Sequence, residues 1–358
     1  MPTLTIRERG KTATGFDATL SIDYQAQYEI TISDPFDAKQ EHELEFYFEE
    51  WIKFPFDGRV KADRAAASVR TYGEALFKQV FEDPDAYSSY KNACRQGLSE
   101  LSIEIQGNSP EFQALHWEAL QDPKQPFPFA VEAILTRKRL RQDTTEVDLK
   151  PSATINVLMV IARPDEESDV GYRTISRPLI EAIQQAQLRV NVELLRPGTF
   201  EALSAHLEKK EGYYHIVHFD THGGLMNYEQ YQAGKKLNRY TYQLSDYSGT
   251  KAFLFLEGVQ KGQANPIDAQ KLADLLTNKG IPICILNACQ SAKQLQASED
   301  KAIAVETSLG SQLISAGVQM VVAMGYTVTV SAAALMMAKL YGQLFVQKGI
   351  PEAIRLGS

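Results

Sequence analysis

Hydrophobic and polar positions divide the chain into an irregular first third and a regular remainder. In Ala18 to Ser33, Leu20, Ile22 and Tyr24, then Tyr28, Ile30 and Ile32, alternate with polar residues, which predicts two half-buried strands ended by Asp34-Pro35. Glu41 to Trp51 and Ala62 to Phe81 carry apolar residues at helical spacing. Val69, Tyr72, Leu76, Val80 and Phe81 fall on or near one face, so both segments are expected as packing helices. A strand at Leu101 to Ile105, a segment Trp117 to Leu120 closed by Asp122-Pro123, and a strand near Ala130 to Leu135 complete this part.

From Ser152 the pattern becomes periodic. The run Ile155 to Ala162 (INVLMVIA) is continuous and β-branched, as a parallel strand buried on both faces would be. There follow a helix at Ser176 to Ala186, a strand Val190 to Leu195 closed by Pro197-Gly198, a helix Phe200 to Lys209 and a strand Tyr213 to Phe219. A polar, Tyr-rich insertion precedes a short strand Ala252 to Leu256 and a helix Asp268 to Leu276. Strand Ile281 to Leu286, helix Glu306 to Ala316, strand Met320 to Ala323 and helix Ser331 to Gln347 end the series. Strands alternating with helices of this length predict an open three-layer α/β sandwich with a mostly parallel sheet. The expected division is a β-plus-helix region over 1–150 and an α/β domain over 151–358.

Composition narrows the function classes. With 358 residues, 44% of them apolar and 23% charged, the chain has the make-up of a globular protein rather than a disordered or fibrous one. A net charge of -8 gives no electrostatic footprint for nucleic acid or an anionic membrane. No apolar stretch reaches bilayer length and the start lacks a signal-peptide core, so a cytoplasmic location is expected. Three cysteines, Cys94, Cys284 and Cys289, are too few for a disulfide framework, and none has the spacing of a closed zinc site. A cysteine nucleophile remains open.

In open α/β sheets chemistry sits beyond the carboxyl ends of the strands. Two segments are expected there, each directly after an apolar strand: His218-Phe219-Asp220-Thr221-His222-Gly223-Gly224 and Asn287-Ala288-Cys289-Gln290-Ser291. A thiol needs a base to act as thiolate, and His222 facing Cys289 across a cleft would supply one. Gly223 allows close backbone approach, and its N–H with that of Cys289 is a candidate oxyanion site. Taken singly, a Cys after an apolar strand is more often an inert core residue and a His-Gly a common turn.

The pair HFDTHGG and LNACQSA, in that order after a strand-helix-strand-helix lead-in, resembles the CHAT-domain peptidases, relatives of caspases, metacaspases and separase. LHWEAL (Leu115 to Leu120) resembles the family's characteristic opening segment, and VVAMGYTVTVSAAALMMAKLYGQL its last strand and helix; the first hundred residues match loosely. The resemblance implies a caspase-like fold and a Cys-His dyad without metal or cofactor. Cys289 is then the nucleophile, His222 the general base and acid, and Gly223 and Cys289 the oxyanion donors. A backbone carbonyl is expected to orient His222.

Asp220 and Asn287 each stand two residues before a catalytic position and so share its face. In metacaspase-like relatives these positions line the pocket for the residue before the scissile bond, and an Asp there implies a basic preference; the competing reading has Asp220 capping a turn. The resemblance further implies a switched effector in bacterial defence or regulated cell death. Such an effector cuts a particular protein, a gasdermin-like pore former among the candidates, under a sensor module in the same longer chain. Pro351 to Ser358 stops inside an expected helix, and Gly357-Ser358 has the composition of a cloning remnant, so the chain is expected to be a part of that longer protein. A catalytically silent caspase-like scaffold is the alternative. A nucleotide-binding protein is disfavoured because Ala162-Arg163-Pro164-Asp165 contains no glycine.

Among the remaining candidates, His215 and His218 lie within an apolar strand and are expected as buried, hydrogen-bonded support, Cys284 lies mid-strand and is expected as core, and Cys94 has no assigned function. The tyrosines of Leu225 to Lys251 either border the substrate groove or pack on one another. The run Arg137 to Arg141 is expected on a solvated strand face or against a neighbouring module.

Overall fold

A computed structural model describes residues 2–46, 51, 58–138, 140, 152–164, 177, 180–181, 190–240, 242–289, 309–310, 313–314, 317–323, 335 and 340–341. The chain divides into two compact units, Met1–Leu140 and Arg141–Val346.

The first unit is built on strands β1 (Thr3–Lys11), β2 (Phe16–Ile22), β3 (Ala26–Ile32), β4 (Ser102–Gln106) and β5 (Ile134–Lys138), in the order β3-β2-β1-β4-β5. The first three form an antiparallel meander, while β4 and β5 run parallel to β1 and to each other. The two alternating strands read from the sequence are β2 and β3. Central β1 was not foreseen, since Leu4 and Ile6 are its only large apolar residues, both fully buried. Its pairing on both edges makes it a strand.

Helices α1 (Ala38–Glu45), α2 (Arg59–Val80) and α3 (Pro84–Ala93) follow the meander. Asp37 and Gln40 form a capping box at the start of α1, and Asp83 caps α3 ahead of Pro84. Tyr72, Leu76, Phe77 and Val80 give α2 its buried stripe. In the opening segment, Trp117 is fully buried and its indole N–H donates to the Phe112 carbonyl at 2.8 Å. Of the basic run, Arg137 and Lys138 lie on β5 and pair with Glu118 and Glu104.

In the second unit, β6 (Ile155–Ile161), β7 (Val190–Leu195), β8 (Ile216–Asn227), β11 (Ile283–Cys289) and β12 (Met320–Ala323) run parallel in the order β7-β6-β8-β11-β12. Antiparallel β9 (Thr250–Glu257) pairs with the second half of β8, and β10 (Ala264–Asp268) with β9. One face of this mixed sheet buries Leu158, Val160, Val217, Phe219, Cys284 and Leu286 against Leu203 and Leu207 of helix Phe200–Lys209 and Leu272 and Leu276 of helix Ala269–Asn278. Thr199 and Asp268 cap these two helices. The helices expected at 176–186, 306–316 and 331–347 fall largely outside the described residues.

Backbone meets backbone where α2 passes the opening segment. The Gln121 N–H donates to the Gly73 carbonyl at 3.2 Å, and a Cβ at position 73 would stand 1.8 Å from the Ala119 carbonyl oxygen. Gly73→Ala should gain up to about 1 kcal/mol of helix propensity. A contact so far inside van der Waals distance outweighs that gain, since overpacking costs about 1–3 kcal/mol and here the obstacle is backbone. Thermal unfolding should show a fall of several degrees in the transition of the first unit; an equal or higher Tm would refute the close approach.

Candidate active site

Parallel pairing of β8 with β11 runs in unbroken register from Ile216 beside Ile283, through Asp220 beside Asn287, to His222 beside Cys289. His218, Asp220 and His222 alternate onto one face of the sheet, and register puts positions 285, 287 and 289 on the same face. The positions expected to carry a nucleophile and its base are thus Cα partners on adjacent strands, about 4.8 Å apart by strand spacing.

The surroundings of His222 differ from the expected strand end. β8 does not stop at Phe219 but continues through His222 and Gly223 to Asn227. The reason is a change of partner on one edge. β6 pairs with Ile216 to Asp220, and β9 then takes the same edge from His222, opposite Phe255, to Asn227, opposite Thr250. Gly223 is buried opposite Leu254, and the Thr221 hydroxyl donates to the Phe255 carbonyl at 2.5 Å. His222 is half-buried at this junction.

Asp220 was expected to offer a free carboxylate to a basic side chain or to cap a turn. It is a strand residue, 3% exposed, and its carboxylate is already held. Arg163, just past β6, donates from Nη2 to Asp220 Oδ2 at 2.6 Å and from Nη1 to the Asp220 carbonyl at 2.7 Å and its own neighbour's, Ala162, at 2.9 Å. Asn287 Nδ2 donates to Asp220 Oδ1 at 3.3 Å, while Asn287 Oδ1 is buried with no hydrogen-bond partner among the described residues. Burial pushes the Asp220 carboxyl up from its ordinary value, and the adjacent guanidinium pulls against that rise. Glu257, at the end of β9, accepts from the backbone N–H groups of Arg163 at 3.0 Å and Gly198 at 2.9 Å.

Arg163 and Glu257 are the site residues that reading the sequence missed. Arg163 lies in a segment, Ala162 to Asp165, whose one telling sequence feature is that it lacks glycine. Nothing local pairs it with an aspartate so far along the chain.

Other candidates are quiet. Cys284 is fully buried on the opposite face, and burial pushes its thiol far above the ordinary range, so it is core as expected. Cys94 is a half-buried free thiol whose value burial also raises, against the lowering effects of Tyr90 and Lys91. The Tyr-rich insertion contains a helix, Tyr228–Lys236, started by an Asn227-Gln230 capping box. Met226, Tyr231, Tyr240 and Phe253 form its own small core, with Tyr228 and Tyr247 packed against them.

Fold and strand edge together define a caspase-like α/β sandwich. The CHAT domain family model matches residues 70–356, and the chain belongs to that family. The match begins inside α2 and takes in parts of both units. No curated protein matches the chain. Among the described residues no helix is long and apolar enough to cross a membrane, and no three His, Cys, Asp or Glu side chains gather as metal ligands.

His218 provides a measurable signature of this face. Its ring is fully buried and stacked on Tyr341, whose hydroxyl lies 2.9 Å from Nδ1, and Nε2 has no hydrogen-bond partner among the described residues. Burial lowers its pKa to about 3. The unfolded chain takes up a proton below about 6.5 that the folded chain refuses, so stability is full above that pH and is lost as pH falls toward 3. The loss should approach about 1.4 kcal/mol per pH unit from this group. Denaturant unfolding between pH 7 and 4 should therefore show a steeper decline for wild type than for His218→Gln; parallel declines would contradict a neutral buried ring.

Proposed function

We propose that the chain is a cysteine endopeptidase in which His222 and Cys289 form the catalytic dyad. The observation that carries this reading is the register: the only histidine-cysteine pair aligned across β8 and β11, His222 with Cys289, is the pair that the resemblance to CHAT-domain peptidases implies as nucleophile and base. Cys289 gives its thiol proton to His222, and the thiolate attacks the carbonyl carbon of the scissile peptide. The tetrahedral oxyanion accepts hydrogen bonds from the Gly223 and Cys289 amides. Collapse breaks the C–N bond as the His222 imidazolium protonates the leaving amine. A water then loses a proton to His222, attacks the thioester carbonyl and releases the acid and the thiol.

With its carboxylate bound to Arg163, Asp220 lacks the free negative charge that preference for a basic residue before the scissile bond requires. We therefore rest the proposal on the dyad and not on that preference. The substrate is a protein, and action on one partner as a switched effector, in defence or regulated cell death and with a gasdermin-like target among the candidates, follows the family resemblance alone.

The test uses a peptidyl chloromethylketone, which alkylates a thiolate held beside a substrate-binding edge. Peptide mapping after incubation should find the adduct on Cys289 in wild type and none on Cys289 in His222→Ala, with Cys284 unlabelled in both. Adduct on Cys94 alone, or none, would favour a catalytically silent scaffold.

A further inference from the structure

The edge of β8 changes partner between Asp220 and His222, where β6 ends and β9 begins. At such a change the ladder is broken, and backbone groups facing the gap need other partners. One guanidinium sits at this gap and supplies part of them. Arg163 spans the Ala162 and Asp220 carbonyls with Nη1 and the Asp220 carboxylate with Nη2, and the Ala162 N–H donates to the Asp220 carbonyl at 3.1 Å. From there the contacts continue both ways. Asp220 Oδ1 receives Asn287 of β11, and Glu257 of β9 receives the backbone N–H of Arg163 and that of Gly198, with Arg196 Nη2 3.6 Å away.

This chain of polar contacts, buried at Asn287, Asp220 and Arg163, joins β11, β8, β6, β9 and the turn after β7. It meets the two candidate catalytic strands at their corresponding positions: Asp220 is two residues before His222, and Asn287 two before Cys289. We propose that Arg163 is a positioning residue for the dyad, fixing through Asp220 and Asn287 the alignment of the strand ends that carry His222 and Cys289. The inference rests on the dyad proposed above. A guanidinium is suited to this role because its planar donors meet two carbonyls and a carboxylate at once, which a lysine ammonium cannot reproduce. The charge itself also matters, since removing one member of a buried pair leaves the other uncompensated. A displacement of about 1 Å at a reacting pair can cost about a hundredfold in rate.

The experiment measures the rate of Cys289 alkylation by iodoacetamide against pH, on the full chain in a Cys94→Ser background, with urea unfolding of each variant recorded alongside. Wild type should keep its reactivity below pH 7, because an imidazolium partner stabilises the thiolate. Arg163→Ala should lose about tenfold or more of the rate at pH 6 and titrate toward the ordinary thiol value of about 8.5. Millimolar guanidinium ion should restore most of that loss, and Arg163→Lys less than half. A wild-type pH profile in folded Arg163→Ala would overturn the proposal, as would full recovery with Arg163→Lys, which would mean that charge alone suffices. If Arg163→Ala does not fold, Asp220→Asn keeps the side-chain shape and removes the charge; the same upward shift supports the proposal and an unchanged profile overturns it. A wild-type thiol that titrates ordinarily and ignores His222→Ala would instead refute the dyad, and this inference with it.

Discussion

Parallel pairing of β8 with β11 is the constraint on which the site depends, because strand side chains alternate with a period of two and a slip of one residue exchanges the faces. In the observed register, Val217 and Phe219 enter the helix-covered core beside Cys284 and Leu286, while His218 and Asp220 share the other face with Ile285 and Asn287. A one-residue slip of either strand would drive polar groups such as Asp220 or Asn287 among Leu203, Leu207 and Leu272. Burying such groups without partners costs several kcal/mol. The apolar core therefore specifies which histidine stands beside which cysteine, without contributing a residue to the chemistry.

Burial then sorts the titratable groups on this sheet. Cys284 and His218 are held neutral by complete desolvation, so neither takes part in proton transfer near neutrality. Asp220 is equally enclosed but keeps a charged partner in Arg163, and both of its oxygens are bonded. A buried ion pair of this kind is weak evidence for stability, since desolvation offsets most of the attraction. Its visible contribution is geometric, because the guanidinium ties the Ala162 and Asp220 carbonyls together where β8 changes partner.

How much of this was legible follows the range of the interactions. Continuous apolar runs such as Ile155 to Ile161 and Ile283 to Leu286 declare buried parallel strands by themselves, and the Cys284 and Cys289 assignments to core and strand end follow from them. The continuation of β8 through Gly223 and Gly224 was not legible, because its strand character comes from β9 rather than from its own side chains. The same holds for β1, made by its two neighbours, and for β10, an edge strand that tolerates Pro266 at its centre. The helix Tyr228–Lys236 did carry a signal, Asn227 followed by Gln230, hidden by the density of tyrosines. The Arg163–Asp220 pair had none, and it alters the meaning of Asp220 from exposed anchor to internal tie.

Hydrolysis of peptide bonds at the strand edge carrying His222 and Cys289 is the proposed activity that joins these features. It is tested most directly by incubating the full chain with a denatured mixed-protein library and identifying newly formed amino termini by mass spectrometry. Wild type should generate a reproducible set that is missing from both Cys289→Ser and His222→Ala. A wild type that generates none, or a Cys289→Ser variant that generates the same set, would contradict it.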